Sequence, residues 1–298
     1  MEDIIRDSHK KKVNKMEIIE DSIKELKRLG VDGVLSNVVI TKMQTFHTPW
    51  TLSYVRYDDG IIGCGMANNE TKIPEDVSFI KALLNTNVYD AIDTLYAMES
   101  GVFINSLIIS MISALTHRLW RDESIFKKDG YTVENLNTPH CIFSEFVRNT
   151  DRVVFVGFAA WDVPCIAEIV REVNITELVD SSDFEVIDID PEESNVEIFP
   201  ASKSEEILSE ADVAVITGET LVNGTLDEIL QFSENARTRI IYGPTSSFYP
   251  KILFESGIDA SIVMIFPNTS DFRRRFVHSR GYWYKMPEVK RIVIKRRG

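Results

Sequence analysis

Five short, continuous runs of apolar and β-branched residues follow Arg152, and stretches with helical spacing separate them. The runs are VVFVGF, FEVIDI, VAVIT, RIIYG and ASIVMIF, and the helices are predicted over 163–173, 204–210, 226–234 and 250–256. A strand buried on both faces is apolar without a break, and such strands form parallel sheets that helices cover on both sides. Residues 141–270 are therefore predicted to form a Rossmann-like α/β domain.

Residues 1–140 follow a different rhythm, typical of an α+β domain. A helical segment ends near Gly30 and is followed by three β-rich runs, VLSNVVIT, WTLSYVRY and IIGCGMA. Asp58-Asp59-Gly60 joins the last two runs and is a hairpin signature. After Pro74 the pattern becomes helical, and the apolar segment 102–115 is interrupted by Asn105 and serines, which predicts a buried helix rather than a membrane span.

Charge is distributed unevenly along the 298 residues. The net charge is −13, but residues 271–298 carry ten basic and two acidic residues, which leaves −21 for residues 1–270. An acidic body disfavours nucleic acid and anionic membranes as partners. The basic, aromatic tail at 271–298 is therefore predicted to dock on its own domain and to end in a strand, VKRIVIKR.

The three cysteines, Cys64, Cys141 and Cys165, lack CxxC spacing. This pattern argues against a disulfide framework and a structural zinc site, and it favours a cytoplasmic location. Cys64 and Cys165 lie in apolar runs and are predicted to be packing residues. His140 and Cys141 are adjacent, and neighbouring residues rarely chelate one metal together. The N-terminus has no apolar core typical of a secretory signal.

The stretch ITGETLVNGT joins the run AVI to a helix, and it concentrates small hydrogen-bonding residues at one turn. Thr225 is a predicted N-cap with Glu228 completing a capping box. Capping leaves the other polar residues unexplained, and glycines would let backbone N–H groups approach a ligand. A turn that satisfies its own polar groups and a ligand-binding loop both remain open. The candidates are Thr217, Gly218, Thr220, Asn223, Gly224 and Thr225.

Three more loops lie at the same predicted sheet edge, because the carboxyl ends of parallel strands meet there. The first contains one glycine, Gly157, where a dinucleotide fingerprint needs three, and Asp162 beyond it reads as an N-cap before Pro164. The second contains Asp188 and Asp190 at the end of the predicted second strand. An acid at this position can bind ribose hydroxyls or a cation. Asp190-Pro191 also fits an ordinary turn. The third contains Gly243, Pro244 and Thr245.

Two of these segments together, ADVAVITGETLVNGTLDEIL and IIYGPTSSFYPKILFESGIDA, resemble the C-terminal part of the heavy-metal-chelation domain family. The resemblance implies an enolase-N-terminal-like domain, a Rossmann-like domain and a ligand site in the cleft between them. It places Thr217, Thr220 and Asn223 in the family's threonine-glycine loop and Asp188 at its acidic position. Ser246 and Ser247 stand where the family has threonine and proline.

Two functional hypotheses follow. The resemblance favours a metal-chelating or metal-complex-binding protein with Asp188 and Asp190 as metal ligands, although oxygen donors suit hard cations better than soft heavy metals. The rival is an enzyme acting on a nucleotide-like or S-adenosylmethionine-like ligand, with Asp188 on the ribose. A scaffold whose tail docks a partner is a third alternative. The cofactor is left open, with a metal ion as one candidate, and a homodimer is left open.

Overall fold

The computed structural model describes residues 17–41, 49–69, 73–74, 76–98, 101–136, 141–157, 159, 162–178, 195–279, 281–284 and 286–296. The N-terminal part contains a three-stranded antiparallel meander and five helices. Its elements are α1 (Glu17–Arg28), β1 (Val34–Ile40), β2 (Trp50–Arg56), β3 (Ile62–Asn68), α2 (Phe79–Leu83), α3 (Val88–Tyr96), α4 (Val102–Thr116) and α5 (Glu123–Lys128). The α+β pattern predicted for this part, including the β2–β3 hairpin, is confirmed.

The rest of the described chain builds an eight-stranded, mostly parallel sheet. Its elements are β4 (Tyr131–Asn135), β5 (Arg152–Val156), α6 (Val163–Ala167), β6 (Glu172–Glu177), β7 (Val196–Pro200), α7 (Ser204–Ser209), β8 (Val213–Thr217), α8 (Glu219–Asn223), α9 (Leu226–Phe232), β9 (Thr238–Tyr242), α10 (Lys251–Glu255), β10 (Ala260–Ile265), α11 (Ser270–His278) and β11 (Lys290–Arg296). The strand order is β4-β11-β10-β9-β8-β5-β6-β7. The Rossmann-like fold class is thus confirmed.

The second parallel strand is β6, which corrects the strand order expected from the sequence. The helix predicted over 163–173 ends at Ala167, and β6 begins at Glu172 and pairs with β5. Val173 and Ile175 of β6 are buried on one face of the sheet, while Asn174 and Thr176 occupy the other. This polar and apolar alternation is a strand pattern. The run FEVIDI, which the sequence predicts as the second strand, lies outside the described residues.

Each buried strand of the sheet contributes to two cores. Phe155 and Val215 face one apolar cluster, and the alternating Val154 and Ile216 face another that includes most of the N-terminal helices. Alternation sends successive side chains to opposite faces, so apolar residues are required at consecutive positions. The N-terminal part thereby packs directly against one face of the C-terminal sheet.

Helix α4 is the central element of that contact. It contacts β2, β3 and α8. Gly65 of β3 permits the close approach, because a Cβ there would lie 2.2 Å from the Ser110 carbonyl oxygen. The segment Val102–Arg121 is long and apolar enough to cross a membrane by length and composition, but 78% of its most apolar window is buried within the fold. The prediction of a buried helix is confirmed.

The C-terminal tail is an integral part of the sheet. β11 inserts between β10 and β4 and is antiparallel to both. Phe272, Phe276 and Trp283 are buried. The expectation that the tail docks and ends in a strand is confirmed. The domain limits at 140 and 270 stay predictions. β4 lies before residue 140 and β11 lies after residue 270, and both strands belong to the sheet.

Candidate functional site

The carboxyl ends of β5 and β8 mark the topological switch point of the sheet. From β5 the chain runs through β6 to β7 on one side, and then crosses to β8 on the other side. Open α/β sheets bind ligands in the crevice outside such a point. Gly157 ends β5 with φ +84°, and a Cβ there would lie 2.8 Å from Cγ2 of Thr217 at the end of β8. Glycine therefore lets the two strand ends meet closely.

A cavity of about 330 Å³ opens at this point, a size within the range of small-molecule sites. We call it the switch-point cavity. Helices α7, α8 and α9 and the ends of β5, β6 and β8 supply its walls. The lining residues are Val156, Gly157, Thr176, Glu177, Leu178, Ala201, Ser202, Ser204, Thr217, Glu219, Thr220, Asn223, Thr225, Glu228, Ile229 and Phe232. Five of the candidates from the sequence are among them: Gly157, Thr217, Thr220, Asn223 and Thr225.

The loop between β8 and α9 contains a short helix, α8, where the sequence predicts a plain turn. Thr220 closes the start of this helix, because its hydroxyl donates to the Thr217 carbonyl oxygen at 2.8 Å. The Thr225 hydroxyl donates to Oδ1 of Asn223 at 2.7 Å. The expected capping box is wrong, since Thr225 makes no side-chain cap bond to α9. Two abutting helices leave Thr225 in a helical conformation, whereas a capping residue is usually extended.

The remaining described candidates are not among the lining residues. Thr245 is buried, and its hydroxyl oxygen accepts the Asn68 backbone N–H at 3.1 Å. Pro244 is buried beside it, after Gly243 with φ +104°. A Cβ on Gly218 would lie 2.6 Å from the Ser246 nitrogen. Gly224 ends α8 with φ +73° and lines a separate void of about 10 Å³ beside α1.

The end of β6 contributes residues that the sequence did not indicate. Glu177 occupies the tip of the second parallel strand, the position expected for Asp188. One of its carboxylate oxygens accepts the Leu178 backbone N–H at 2.7 Å. Thr176 is 2% exposed, and its hydroxyl has no hydrogen-bond partner. The alternation of polar and apolar residues in EVNITE was the sequence pattern that could have indicated both Thr176 and Glu177. Asp188 and Asp190 lie outside the described residues.

Asp162 also differs from the expectation. It precedes α6 with Pro164 in the first turn, but its side chain makes no cap bond to that helix. One carboxylate oxygen instead accepts the Ile142 backbone N–H at 3.4 Å. The helix start is thus positioned as predicted, while the side chain ties it to the segment that precedes β5.

The cavity is acidic. Three carboxylic acids line it, Glu177, Glu219 and Glu228, and the described lining contains no Lys, Arg or His. Glu219 accepts a hydrogen bond from the Asn68 side-chain amide, which connects α8 to β3.

Burial raises the pKa of Tyr242 well above its ordinary value, and the negative charge of Glu219 raises it further. Tyr242 therefore stays protonated across the physiological range.

The described residues do not match a soft-metal site. Among them, no group of three or more His, Cys, Asp and Glu residues is placed to hold a metal ion. Cys141 and Cys165 form a disulfide with a Cα–Cα distance of 5.6 Å, which overturns the expectation of unpaired cysteines. The fold brings together two residues 24 positions apart, which spacing alone does not reveal. Burial raises the pKa of the Cys64 thiol to about 12, so it is not a thiolate donor.

That disulfide also removes one argument for the cytoplasm, because unpaired cysteines were the reason for that prediction. The location stays a prediction. His140, the other half of the His-Cys pair, lies outside the described residues, and Cys141 is committed to the disulfide.

Comparisons with known proteins give a family match for part of the chain. The model of the DUF364 family, described as "putative heavy-metal chelation", matches residues 143–287. An uncharacterized protein of Methanocaldococcus jannaschii is 27% identical over 115 residues, and this match spans 39% of the chain and only 42% of that relative.

Two crystal structures of DUF364 proteins of unknown function share the whole fold. The protein from Pyrococcus horikoshii has a TM-score of 0.67 at 18% identity, covering 93% of this chain and 99% of that one. The protein from Desulfitobacterium hafniense has a TM-score of 0.66 at 19% identity, covering 94% and 98%. The resemblance of the two loop motifs is thus confirmed: residues 143–287 of this chain match the DUF364 family model, and the fold is shared with two DUF364 proteins.

Proposed function

We propose that this protein binds a nucleoside-like small molecule in the switch-point cavity. The observation that carries the proposal is the position of an open cavity at the carboxyl ends of β5, β6 and β8. Doubly wound sheets use this crevice for ligands that contain ribose. The walls combine apolar side chains, such as Ile229 and Phe232, with a few polar groups, a composition suited to a base and a sugar.

Glu177 is the proposed partner of the ribose hydroxyls. In Rossmann-like domains an acid at the tip of the second strand accepts hydrogen bonds from the ribose diol. Glu177 holds that position on β6, next to β5. The Leu178 N–H on one of its oxygens orients the carboxylate. This assignment transfers to Glu177 the role that the sequence suggested for Asp188.

Calorimetric titration with adenosine and with 2′,3′-dideoxyadenosine tests the proposal. The intact protein should prefer adenosine, and Glu177→Gln should reduce that preference about tenfold, because hydrogen bonds to a charged acceptor contribute roughly 1.5–3 kcal/mol. Glu234→Gln, on an exposed residue outside the lining, is the matched control. Equal affinity of the Glu177→Gln and intact proteins for adenosine would remove Glu177 from the site.

We propose a second function, binding of a metal complex, because the family match carries the description of heavy-metal chelation. Soft metals prefer thiolate donors, and Cys141 and Cys165 are joined in a disulfide. A small chelating molecule would therefore supply the metal's ligands, and the protein would hold the complex in the cleft between its two parts.

Native mass spectrometry with elemental analysis separates these functions. Protein purified without a metal-affinity tag or chelator should carry either a metal with an organic mass or an organic mass alone. A metal near one equivalent, bound without any organic molecule and lost in Asp188→Asn, would instead support direct chelation by Asp188 and Asp190.

A further inference from the structure

We infer that the switch-point cavity selects a ligand that carries positive charge and no phosphate, of the sulfonium or amine nucleoside class. The inference rests on the proposed nucleoside function and adds the charge of the ligand to it. Two features on the same cavity carry it: an acidic lining and a buried hydroxyl that has no partner.

The acidic lining disfavours an anionic ligand. Glu177, Glu219 and Glu228 come from three different elements, the end of β6, the start of α8 and the first turn of α9. Like charges repel across a partly desolvated site more strongly than in bulk water. A nucleotide phosphate would meet these carboxylates without a Lys, Arg or His in the described lining to neutralise it.

Backbone groups of the described turn after β5 do not form the usual phosphate-binding arrangement either. Phosphate recognition in this fold class uses a turn with three glycines that leads into a long helix. The turn after β5 contains Gly157 as its one glycine, and α6 beyond it has five residues. Within the described residues, the cavity therefore lacks the three-glycine turn and long helix that usually hold a pyrophosphate.

The sequence between Leu178 and Asn195 is also acidic. Leu178 lines the cavity, and the chain re-enters the described structure at Asn195. The sixteen residues between them, VDSSDFEVIDIDPEES, contain seven carboxylic acids and no basic residue.

The second feature is the hydroxyl of Thr176. Thr176 pairs in register with Val156, and residues paired in register share a face of the sheet. Val156 also lines the cavity, together with Ile229 and Phe232 of the helix above that face. The hydroxyl is buried and makes no hydrogen bond within the protein. A buried hydroxyl without a partner is costly, so a ligand group that bonds to it would gain affinity.

The test compares S-adenosylmethionine with S-adenosylhomocysteine by calorimetric titration of the full chain. The two probes share the nucleoside and the amino acid and differ in the methyl group that makes the sulfur a cation. We expect S-adenosylmethionine to bind about tenfold more tightly, because charge-assisted contacts are stronger than neutral ones. AMP should bind more weakly than adenosine. Glu219→Gln and Glu228→Gln should each reduce the preference, whereas Glu234→Gln should leave it unchanged.

Thr176→Val provides an independent arm, since it removes the hydroxyl with little change in shape. It should weaken adenosine binding severalfold without lowering the melting temperature. Thr51→Val is the structural control, because the buried Thr51 hydroxyl oxygen accepts a hydrogen bond from the Asn69 amide. That variant should lower the melting temperature and leave adenosine binding unchanged.

The outcomes separate the inference from the proposed function. Equal affinity for the two S-adenosyl probes, or tighter binding of AMP than of adenosine, would overturn the charge selection while nucleoside binding stands. Absence of binding by adenosine and by both S-adenosyl probes would overturn the proposed function itself. Saturable binding of Mg²⁺ or Zn²⁺ alone, lost in Glu219→Gln, would assign the acidic lining to a metal ion and overturn the inference.

Discussion

At the scale of single residues, Gly157 shows how backbone conformation shapes the candidate site. Its φ of +84° lies in the left-handed region that favours glycine, and its missing side chain leaves room for Thr217. The sequence indicated a glycine at a strand end. Contact with Thr217 depends on β8 lying beside β5, although the two strands are far apart along the chain.

Gly157→Ala should therefore reduce the free energy of unfolding by about 1–3 kcal/mol, the usual cost of a strained conformation. The new Cβ would also force Thr217 to move. Gly60→Ala is the control, because Gly60 has φ +79° but a Cβ added there would meet no atom within 4 Å. Urea denaturation of both variants measures the difference. If both variants lose the same free energy of unfolding, the contact between the added Cβ and Thr217 costs nothing.

At the scale of elements, strands and helices differ in how well the sequence indicates them. β8 and β10 are nearly continuous apolar runs, because residues on both of their faces are buried. β6 reads EVNITE, and the sequence pattern extends the preceding helix into it, since its polar residues alternate with only two apolar ones. Local pattern alone does not separate these choices. Pairing with β5 and β7 identifies this segment as a strand.

The C-terminal end of α4 should make stability depend on pH. Burial, followed by the nearby positive charge of Arg121, lowers the pKa of His117 from 6.5 to about 4. Between these values the unfolded chain binds a proton that the folded protein does not. Stability should accordingly fall as the pH is lowered from 6.5 to 4. The urea midpoint across this range measures the effect.

His117→Gln should make that pH dependence shallower, because the titrating group is removed. His278→Gln, at an exposed position on α11, is the matched control and should leave the dependence unchanged. A His117→Gln protein with the full pH dependence of the intact protein would show that other groups cause it.

At the scale of the whole molecule, polar contacts join the two parts of the chain. Asn68 of β3 bonds to both Thr245 and Glu219. The Asn105 amide of α4 donates to the Val222 carbonyl oxygen at 2.9 Å. These bonds hold in place loops that the sequence assigned to ligand binding. The switch-point cavity, by contrast, is lined by residues 156–232 alone within the described chain.

A chain that ends at residue 269 should fail to fold cooperatively. It lacks β11, which pairs with both β10 and β4, and it lacks the buried Phe272, Phe276 and Trp283. Removing one buried aromatic side chain costs about 3–5 kcal/mol, and total stabilities are about 5–15 kcal/mol. Thermal melts followed by circular dichroism measure the loss, with a chain that ends at residue 296 as the control. An unchanged melting curve would mean that the tail is a separate arm. That result would support the alternative of a scaffold whose tail docks a partner.

The sequence by itself determined the α+β and Rossmann-like parts, the buried α4 and the loops at one sheet edge, because periodicity and turn residues are local properties. Only the tertiary structure decided which loop residues line a cavity. Thr217 ends β8 and Thr245 follows the neighbouring β9. The two look alike in sequence, yet Thr217 lines the cavity and Thr245 bonds to Asn68. The Cys141–Cys165 pair and the hydroxyl of Thr176 also depend on distant segments meeting. Such contacts form across the chain, and no local pattern encodes them.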